Sequence, residues 1–400
     1  MTASFSPITA ILIAPDAPAV GAGPISVGLQ LADGTTRWGD VRLPDGVGQL
    51  EALAAAHHLR ERITPTLSGQ WPESLSDFSG RIREAAGEES AVGEALRLAW
   101  QWAWLDAFRS APNAVDRLRR EYAFPTDARP TAVTACFLEI SDHAATAERI
   151  DGLLALRPAA IGYRLTGGRV AEAIGPNAEH LQRFVRELGR RAATLAPGDG
   201  YRPDMYLALN GALGELAGDP VRHIGKVLGN VVGLQTAAGE RRLILEEPFC
   251  LDDPLAQAAN LHRLKEFIRR TPDSLKRAAP TLVVAPLPGA GQEAQVYADT
   301  AAVHAIVYDL PSGDPNRALV ELSRAAAAGL GTYWRLPSGA TPRHAALAVF
   351  LAQVAYSAAL IVNCDSDLVT LPTFALRLLA EQAAAFAAPP PAVYQLLAGS

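Results

Sequence analysis

Lysine is nearly missing from this chain. Among 400 residues there are three, Lys226, Lys265 and Lys276, against 33 arginines, so chemistry that needs a lysine base or nucleophile has few places to find one. Cysteine is as sparse: Cys136, Cys250 and Cys364 are odd in number and far apart, with no CxxC or Cys/His spacing, which argues against disulfides and structural zinc. Positive charge is not in excess. A net charge of -6 and a pI near 5.8 leave no basic surplus to release phosphate counterions, so neither nucleic acid nor an anionic membrane is the expected partner. No apolar run approaches the length of a membrane span, and MTASFSPITAILIAP has no charged leader before its apolar stretch; the expected location is cytoplasmic.

What is present is apolar and periodic. With 49% hydrophobic and 20% charged residues the chain is set to bury a large core. ITAILIA (8–14), ISVGLQL (25–31) and TRWGDVRL (36–43) read as short strands, the last two joined by Ala32-Asp33-Gly34, and predict a three-stranded meander. Helical periodicity follows over 49–63, 74–86, 90–109 and 114–122, and Trp100, Trp102 and Trp104 in the third segment are expected to pack in the core. The prolines of FPTDARPT (124–131) mark a boundary. Beyond it, eight apolar runs alternate with amphipathic stretches: 132–139, 159–165, 205–210, 243–248, 281–286, 304–310, 331–336 and 359–365. The predicted organisation is an α+β capping domain over 1–125, an α/β TIM-type barrel of seven or eight β/α units over 126–388, and a proline-stiffened tail over 389–400.

In a barrel, function collects at the C-terminal ends of the strands. Read in order, those ends carry Glu139; Tyr163 with Arg164; Asn210; Glu246 with Glu247; Ala285-Pro286; Asp309; Trp334 with Arg335; and Asn363, Cys364 and Asp365, with His143 in the loop after the first strand. Charged groups at the ends of apolar strands cost free energy to bury and so mark candidate sites. LILEEPFCLDD (243–253) concentrates four carboxylates, but adjacent strand residues point to opposite faces, so Glu246 and Glu247 are not expected to share the axis, and Asp252-Asp253 suit the start of a helix. PLPGAGQEA (286–294) follows a strand but lacks the spacing of a phosphate-binding loop.

The stretches SVGLQLADGTTRWGD (26–40), ALRLAWQWAWLDA (95–107), MYLALNGALGEL (205–216), LILEEPFCLDD (243–253), HAIVYDLPSGD (304–314) and GLGTYWRL (329–336) resemble, in order and apolar pattern, methylaspartate ammonia-lyase of the enolase superfamily. The resemblance implies the cap-and-barrel fold and a homodimer. It also implies a Mg²⁺ ion on three acidic residues ending strands three, four and five, positions that hold Ala208, Glu246, and Ala285 or Pro286. One carboxylate does not satisfy a hard cation, so no metal and no other cofactor is expected. The family's catalytic lysine falls on Asp309, and its second-strand histidine near Pro158 or Ala159.

Two functions fit this pattern. One is a metal-independent enzyme for elimination, isomerisation or cyclisation of a small carboxylate or amino-acid-derived substrate. In it Arg164 and Arg335 clamp the carboxylate, Asp309 and Glu246 share a proton as acid and base, His143 and Tyr163 are reserve proton carriers, and Asn210, Glu139 and Trp334 line the substrate. The other is a non-catalytic homologue that binds or scaffolds.

Overall fold

A computed structural model describes residues 6–15, 25–86 apart from 42, 44 and 45, 90–125, 135–166, 174–195, 200–213, 220–248, 253–270, 281–286, 296–310 apart from 298, and 313–387 apart from 356 and 358. β1 (Ile8–Pro15), β2 (Ile25–Leu31) and β3 (Thr36–Asp40) form an antiparallel sheet in that order. The predicted turn joins the last two: the Thr35 amide and hydroxyl both donate to Asp33 Oδ1, at 2.9 and 2.7 Å, and Gly34 takes φ of 82°. An Asp side chain that ties its own turn is a local, sequence-encoded stop.

Four helices follow: α1 (Gln49–Leu67), α2 (Leu75–Ala86), α3 (Ala91–Phe108) and α4 (Ala114–Glu121), of which α1 and α3 pack on the sheet and α2 packs on those two. The Ser90 hydroxyl caps α3 by accepting from Gly93 N–H at 3.1 Å. From Ala99 to Phe108 every residue of α3 is buried, so this helix is a core element on all sides. Trp104 stacks on Trp71, Phe78 and Phe108, with centroids 5.6, 5.9 and 4.8 Å away. β3 lies directly against the helix, because a Cβ on Gly39 would sit 1.7 Å from the Ala99 carbonyl oxygen. The tryptophans are core, as expected, and they pack against helices as well as the sheet.

The rest of the chain alternates strand and helix, apart from one pair of successive strands. It runs β4 (Ala135–Ser141), α5 (Ala147–Ala155), β5 (Ala160–Arg164), α6 (Ile174–Leu195), β6 (Asp204–Ala208), α7 (Pro220–Ala238), β7 (Leu243–Glu246), α8 (Pro254–Arg270), β8 (Thr281–Pro286), β9 (Ala305–Asp309), α9 (Pro315–Ala327), β10 (Gly331–Leu336), α10 (Pro342–Val354), β11 (Ala359–Asn363) and α11 (Thr370–Ala387), with no helix among the described elements between β8 and β9. The eight strands pair in parallel, and β11 against β4, with Asn363 opposite Glu139, closes the barrel. Alternation decides what each strand offers the axis. Phe137, Ala160, Tyr206, Ile244, Val284, Val307, Tyr333 and Ile361 fill the interior, where Phe137 meets Tyr206 and Tyr333 at centroid distances of 5.8 and 5.6 Å. This apolar plug makes the barrel a packed core, with the charged strand ends in a layer above it.

The capping sheet is clasped to the barrel by charge. Asp40, at the end of β3, is held by Arg343 at 3.1 Å and His344 at 2.9 Å from the start of α10, with the Ser26 hydroxyl donating at 3.1 Å. Burial raises the Asp40 carboxyl, but its His344 hydrogen bond and the Arg343 charge outweigh that and hold it below its ordinary value. From α4, Arg119 donates to the Gln353 and Val354 carbonyls at the end of α10.

Asp253 accepts from the Leu255 and Ala256 amides at 3.1 and 3.3 Å and so starts α8 as expected, while Asp252 lies outside the described residues. Lys226 is on α7 and Lys265 on α8, where its Nζ donates to the Ala301 and Val303 carbonyls ahead of β9, far from the C-terminal strand ends. Lys276, Cys250, residues 287–294 of the glycine-rich stretch, most of the 124–131 boundary and the 389–400 tail also lie outside the described residues. No described helix is long and apolar enough to cross a membrane.

Candidate functional site

One residue above the apolar plug, four strands direct charge to the axis. Glu139 shares a face with Phe137, Glu246 with Ile244, Asp309 with Val307 and Arg335 with Tyr333, since residues two apart on a strand point the same way. Their heads converge on one guanidinium. Arg335 donates to Glu246 and, at 2.9 Å, to the Tyr206 hydroxyl; it meets Asp309 Oδ1 at 3.2 Å and faces Glu139 Oε2 at 3.6 Å. Tyr206 completes a triangle by donating its hydroxyl proton to Glu246 Oε2 at 2.6 Å. The last Arg335 contact is a charge pair rather than a hydrogen bond: neither Arg335 Nε nor Glu139 Oε2 has a hydrogen-bond partner among the described residues. From β5, Arg164 brings Nε and one terminal nitrogen to Glu139 Oε1, both at 2.8 Å.

Burial sorts the roles. The side chains of Arg335 and Glu246 are each 5% exposed, Glu139 is fully enclosed, Arg164 is 23% exposed and Asp309 50%. Burial raises the Glu246 carboxyl, but the charges of Arg335 and Arg164 outweigh it and hold that group below the usual glutamate range. Burial likewise works against the charge on Arg335, yet Glu246, Tyr206, Glu139 and Asp309 hold its guanidinium protonated far above any physiological pH. Burial and the neighbouring Glu246 charge keep the Tyr206 phenol protonated. The layer therefore holds three carboxylates against two guanidiniums.

This geometry corrects several sequence expectations. Glu246 and Asp309 do not share a proton with one carboxyl pushed up: Arg335 stands between them, and Glu246 is pulled down instead. Arg335, expected as a ligand clamp, is surrounded by Glu246, Tyr206, Asp309 and Glu139. Tyr163 and Trp334 have the wrong strand parity and point into the helix layer. Tyr163 bonds His180 Nε2 at 2.6 Å and stacks on Phe184, its phenol pushed up to about 12 by burial, and Trp334 donates to Ser357 Oγ at 2.9 Å. On β8, Val284 rather than Ala285 pairs with Glu246 and faces the axis, whereas Ala285 packs outward.

The remaining candidates sit at the rim. His143 is exposed, with Nε2 3.2 Å from Ser141 Oγ and Nδ1 3.4 Å from Thr166 Oγ1 and 3.7 Å from Asp142. Asn210 donates to the Leu165 carbonyl, linking the loops after β5 and β6. It takes φ of 47° and Glu247 takes 45°, and the Gly211 amide bonds the Glu247 carbonyl at 2.8 Å, so left-handed non-glycine backbone is concentrated at this part of the mouth. Tyr206 is the site residue that sequence reasoning missed. A phenol in the buried run MYLAL needs a hydrogen-bond partner, and that was the available signal.

The donors for a hard divalent cation are not assembled. Ala208, Glu246 and Val284 stand side by side on β6, β7 and β8, and the one carboxylate among them already serves Arg335 and Tyr206. Among the described residues no group of three His, Cys, Asp or Glu side chains is placed to hold a metal ion. Such an ion takes several oxygen ligands, so the residues do not fit it.

Comparison with known proteins gives these strand ends a setting. Residues 166–352 match the family profile described as Methylaspartate ammonia-lyase C-terminus, a span that includes Glu246, Asp309 and Arg335. The Mg-complex of beta-methylaspartase from Clostridium tetanomorphum superposes with a TM-score of 0.72 at 19% identity, over 95% of this chain and 99% of that one. The methylaspartate ammonia lyase of Citrobacter amalonaticus containing (2S,3S)-3-methylaspartic acid gives 0.70 at 17% identity, over 96% and 100%. A putative mandelate racemase/muconate lactonizing enzyme from Sorangium cellulosum gives 0.55 at 21% identity, over 91% of each chain. At these identities the structural likeness establishes the fold. No curated protein matches the chain in sequence.

Proposed function

We propose that this chain is a divergent, methylaspartate ammonia-lyase-like protein of the enolase superfamily, and that it performs acid/base chemistry on a small carboxylate at the barrel mouth without a divalent cation. The observation that carries this reading is the seat of Arg335, a buried, permanent positive charge amid Glu139, Glu246 and Asp309. Arg164 takes the substrate carboxylate. Both nitrogens it spends on Glu139 approach a single oxygen, leaving its other terminal nitrogen for a ligand. Asp309, half exposed at the end of the sixth barrel strand, removes a proton from the carbon next to that carboxylate and returns it, or completes an elimination. Glu246 carries no proton in this scheme; it anchors Arg335. His143, at the rim, exchanges protons with solvent.

The test is proton exchange in D₂O, followed by ¹H NMR, with a panel of 2-amino, 2-hydroxy and dicarboxylic acids in EDTA and in Mg²⁺. At least one acid is expected to lose its α-proton signal or be converted at the same rate in both buffers, and D309N to slow this by about 10²-fold or more. Exchange that needs Mg²⁺ would overturn the cation-free reading. Carboxylates that bind without exchange would favour a non-catalytic barrel, a second reading supported by the mutual pairing of Tyr206, Glu246 and Arg335, which is what a purely structural polar core also needs.

A further inference from the structure

Three carboxylates from three different strands, β4, β7 and β9, are drawn to one side chain that enters from a fourth. Two of those carboxylates are enclosed, and buried anions persist only where a positive charge meets them. Arg335 is long enough to cross the barrel from β10 and meet all three, which a shorter cationic side chain on the same strand would not do. The surroundings are cut to this arrangement. At Gly162 a Cβ would lie 2.9 Å from both Cα and Cβ of Glu139, so only glycine leaves Glu139 its place under the two arginines, and the Tyr206 hydroxyl occupies a further guanidinium donor at 2.9 Å.

We propose that Arg335 is the barrel's built-in counter-cation: it occupies, covalently tethered, the place that a hydrated divalent ion would take among Glu139, Glu246 and Asp309, and its removal opens that place to such an ion. Without it the layer carries three negative charges against the single positive charge of Arg164, and all six carboxylate oxygens are the hard donors that Mg²⁺ and Mn²⁺ prefer. Glu246, relieved of its main partner, and Glu139, left with Arg164, regain neutrality in the layer by binding a cation or taking up protons.

The inference rests on the cation-free reading of the site, but the two fail separately. Absent turnover in any buffer removes the enzyme and leaves the counter-cation untouched. Absent metal uptake by the variant removes the counter-cation and leaves turnover untouched.

The experiment compares full-length wild type, R335A and R335A/E246Q by Mn²⁺ titration, read from the loss of the free-ion EPR signal, and by melting temperature with and without Mg²⁺. R335A is expected to bind one Mn²⁺ per chain at least about tenfold tighter than wild type, and to melt roughly 5 °C higher at a hundredfold excess of cation over Kd. R335A/E246Q, with one carboxylate fewer, is expected to lose most of that gain. R335A that is folded and takes up no more Mn²⁺ than wild type overturns the proposal. If R335A is recovered only as unfolded chain, R335Q, which keeps hydrogen-bonding capacity toward Tyr206 and Glu246, replaces it, and the same lack of gain in folded R335Q is decisive.

Discussion

Replacing Glu246 with glutamine probes the site through stability alone, before any substrate is known. The change is nearly isosteric, so its cost is electrostatic: Arg335, 5% exposed, loses the carboxylate it contacts most closely, and Tyr206 loses a charged acceptor at 2.6 Å. Breaking one side of a buried ion pair costs about 3–5 kcal/mol. Here the remaining partners soften the loss. Asp309 lies 3.2 Å away but is half exposed and screened, and Glu139 stands 3.6 Å from the guanidinium. The lower end, about 3 kcal/mol, is therefore expected, a large share of the roughly 5–15 kcal/mol by which domains are stable.

Urea unfolding at pH 7, followed by tryptophan fluorescence and circular dichroism together, measures this loss and checks two-state behaviour. The pH dependence supplies an independent sign. The folded-state value of Glu246 lies below its ordinary 4.5, so its stabilisation is fully present above about that pH and fades as pH falls through the folded value. The gap between wild type and E246Q should accordingly narrow in acid. A loss under about 1 kcal/mol at pH 7, or a gap that stays constant or widens down to pH 3, would refute the description of Glu246 as an ionised anchor.

Three further outcomes follow from particular contacts. Y206F leaves Arg335 and Glu246 each one hydrogen bond short and should cost about 1.5–3 kcal/mol, the range for bonds to charged groups, measured by the same unfolding curves. G39A places a Cβ 1.7 Å from the Ala99 carbonyl and should force β3 off α3 at about 3 kcal/mol or more, seen as a lowered melting temperature; an unchanged melting temperature would mean that the sheet and helix are not in contact there. D40N removes the charge that Arg343 and His344 share across the cap–barrel boundary; it should raise amide hydrogen exchange in β3 and at the start of α10 at pH 7, and do so less in acid, where the wild-type carboxyl is itself protonated.

The strands and helices were legible because their apolar runs are short, regularly spaced and separated by amphipathic stretches, and the observed limits differ from the expected ones by a few residues at most ends. What the sequence hid was orientation. Strands of a parallel barrel are buried on both faces, so a run such as GTYWRL carries no apolar/polar alternation to say whether Trp334 or Arg335 meets the axis. The same ambiguity made Tyr163 a reserve proton carrier and left Ala285 and Pro286, not Val284, beside Glu246. Pairing was hidden for a different reason. Arg335 lies 129 residues from Tyr206 and 89 from Glu246, so nothing local distinguished an arginine already enclosed by partners from one free to clamp a ligand. The capping helix was easier, since the tryptophan-rich half of α3 is too apolar to sit anywhere but the core.

In the proposed function the barrel mouth carries its positive charge on Arg335 instead of on a bound ion. Calorimetric titration of the wild-type protein with Mg²⁺ and Mn²⁺ at neutral pH tests this most directly. The expected result is no saturable binding to the chain by either ion. One ion bound per chain with micromolar affinity, and lost in E246Q, would contradict it.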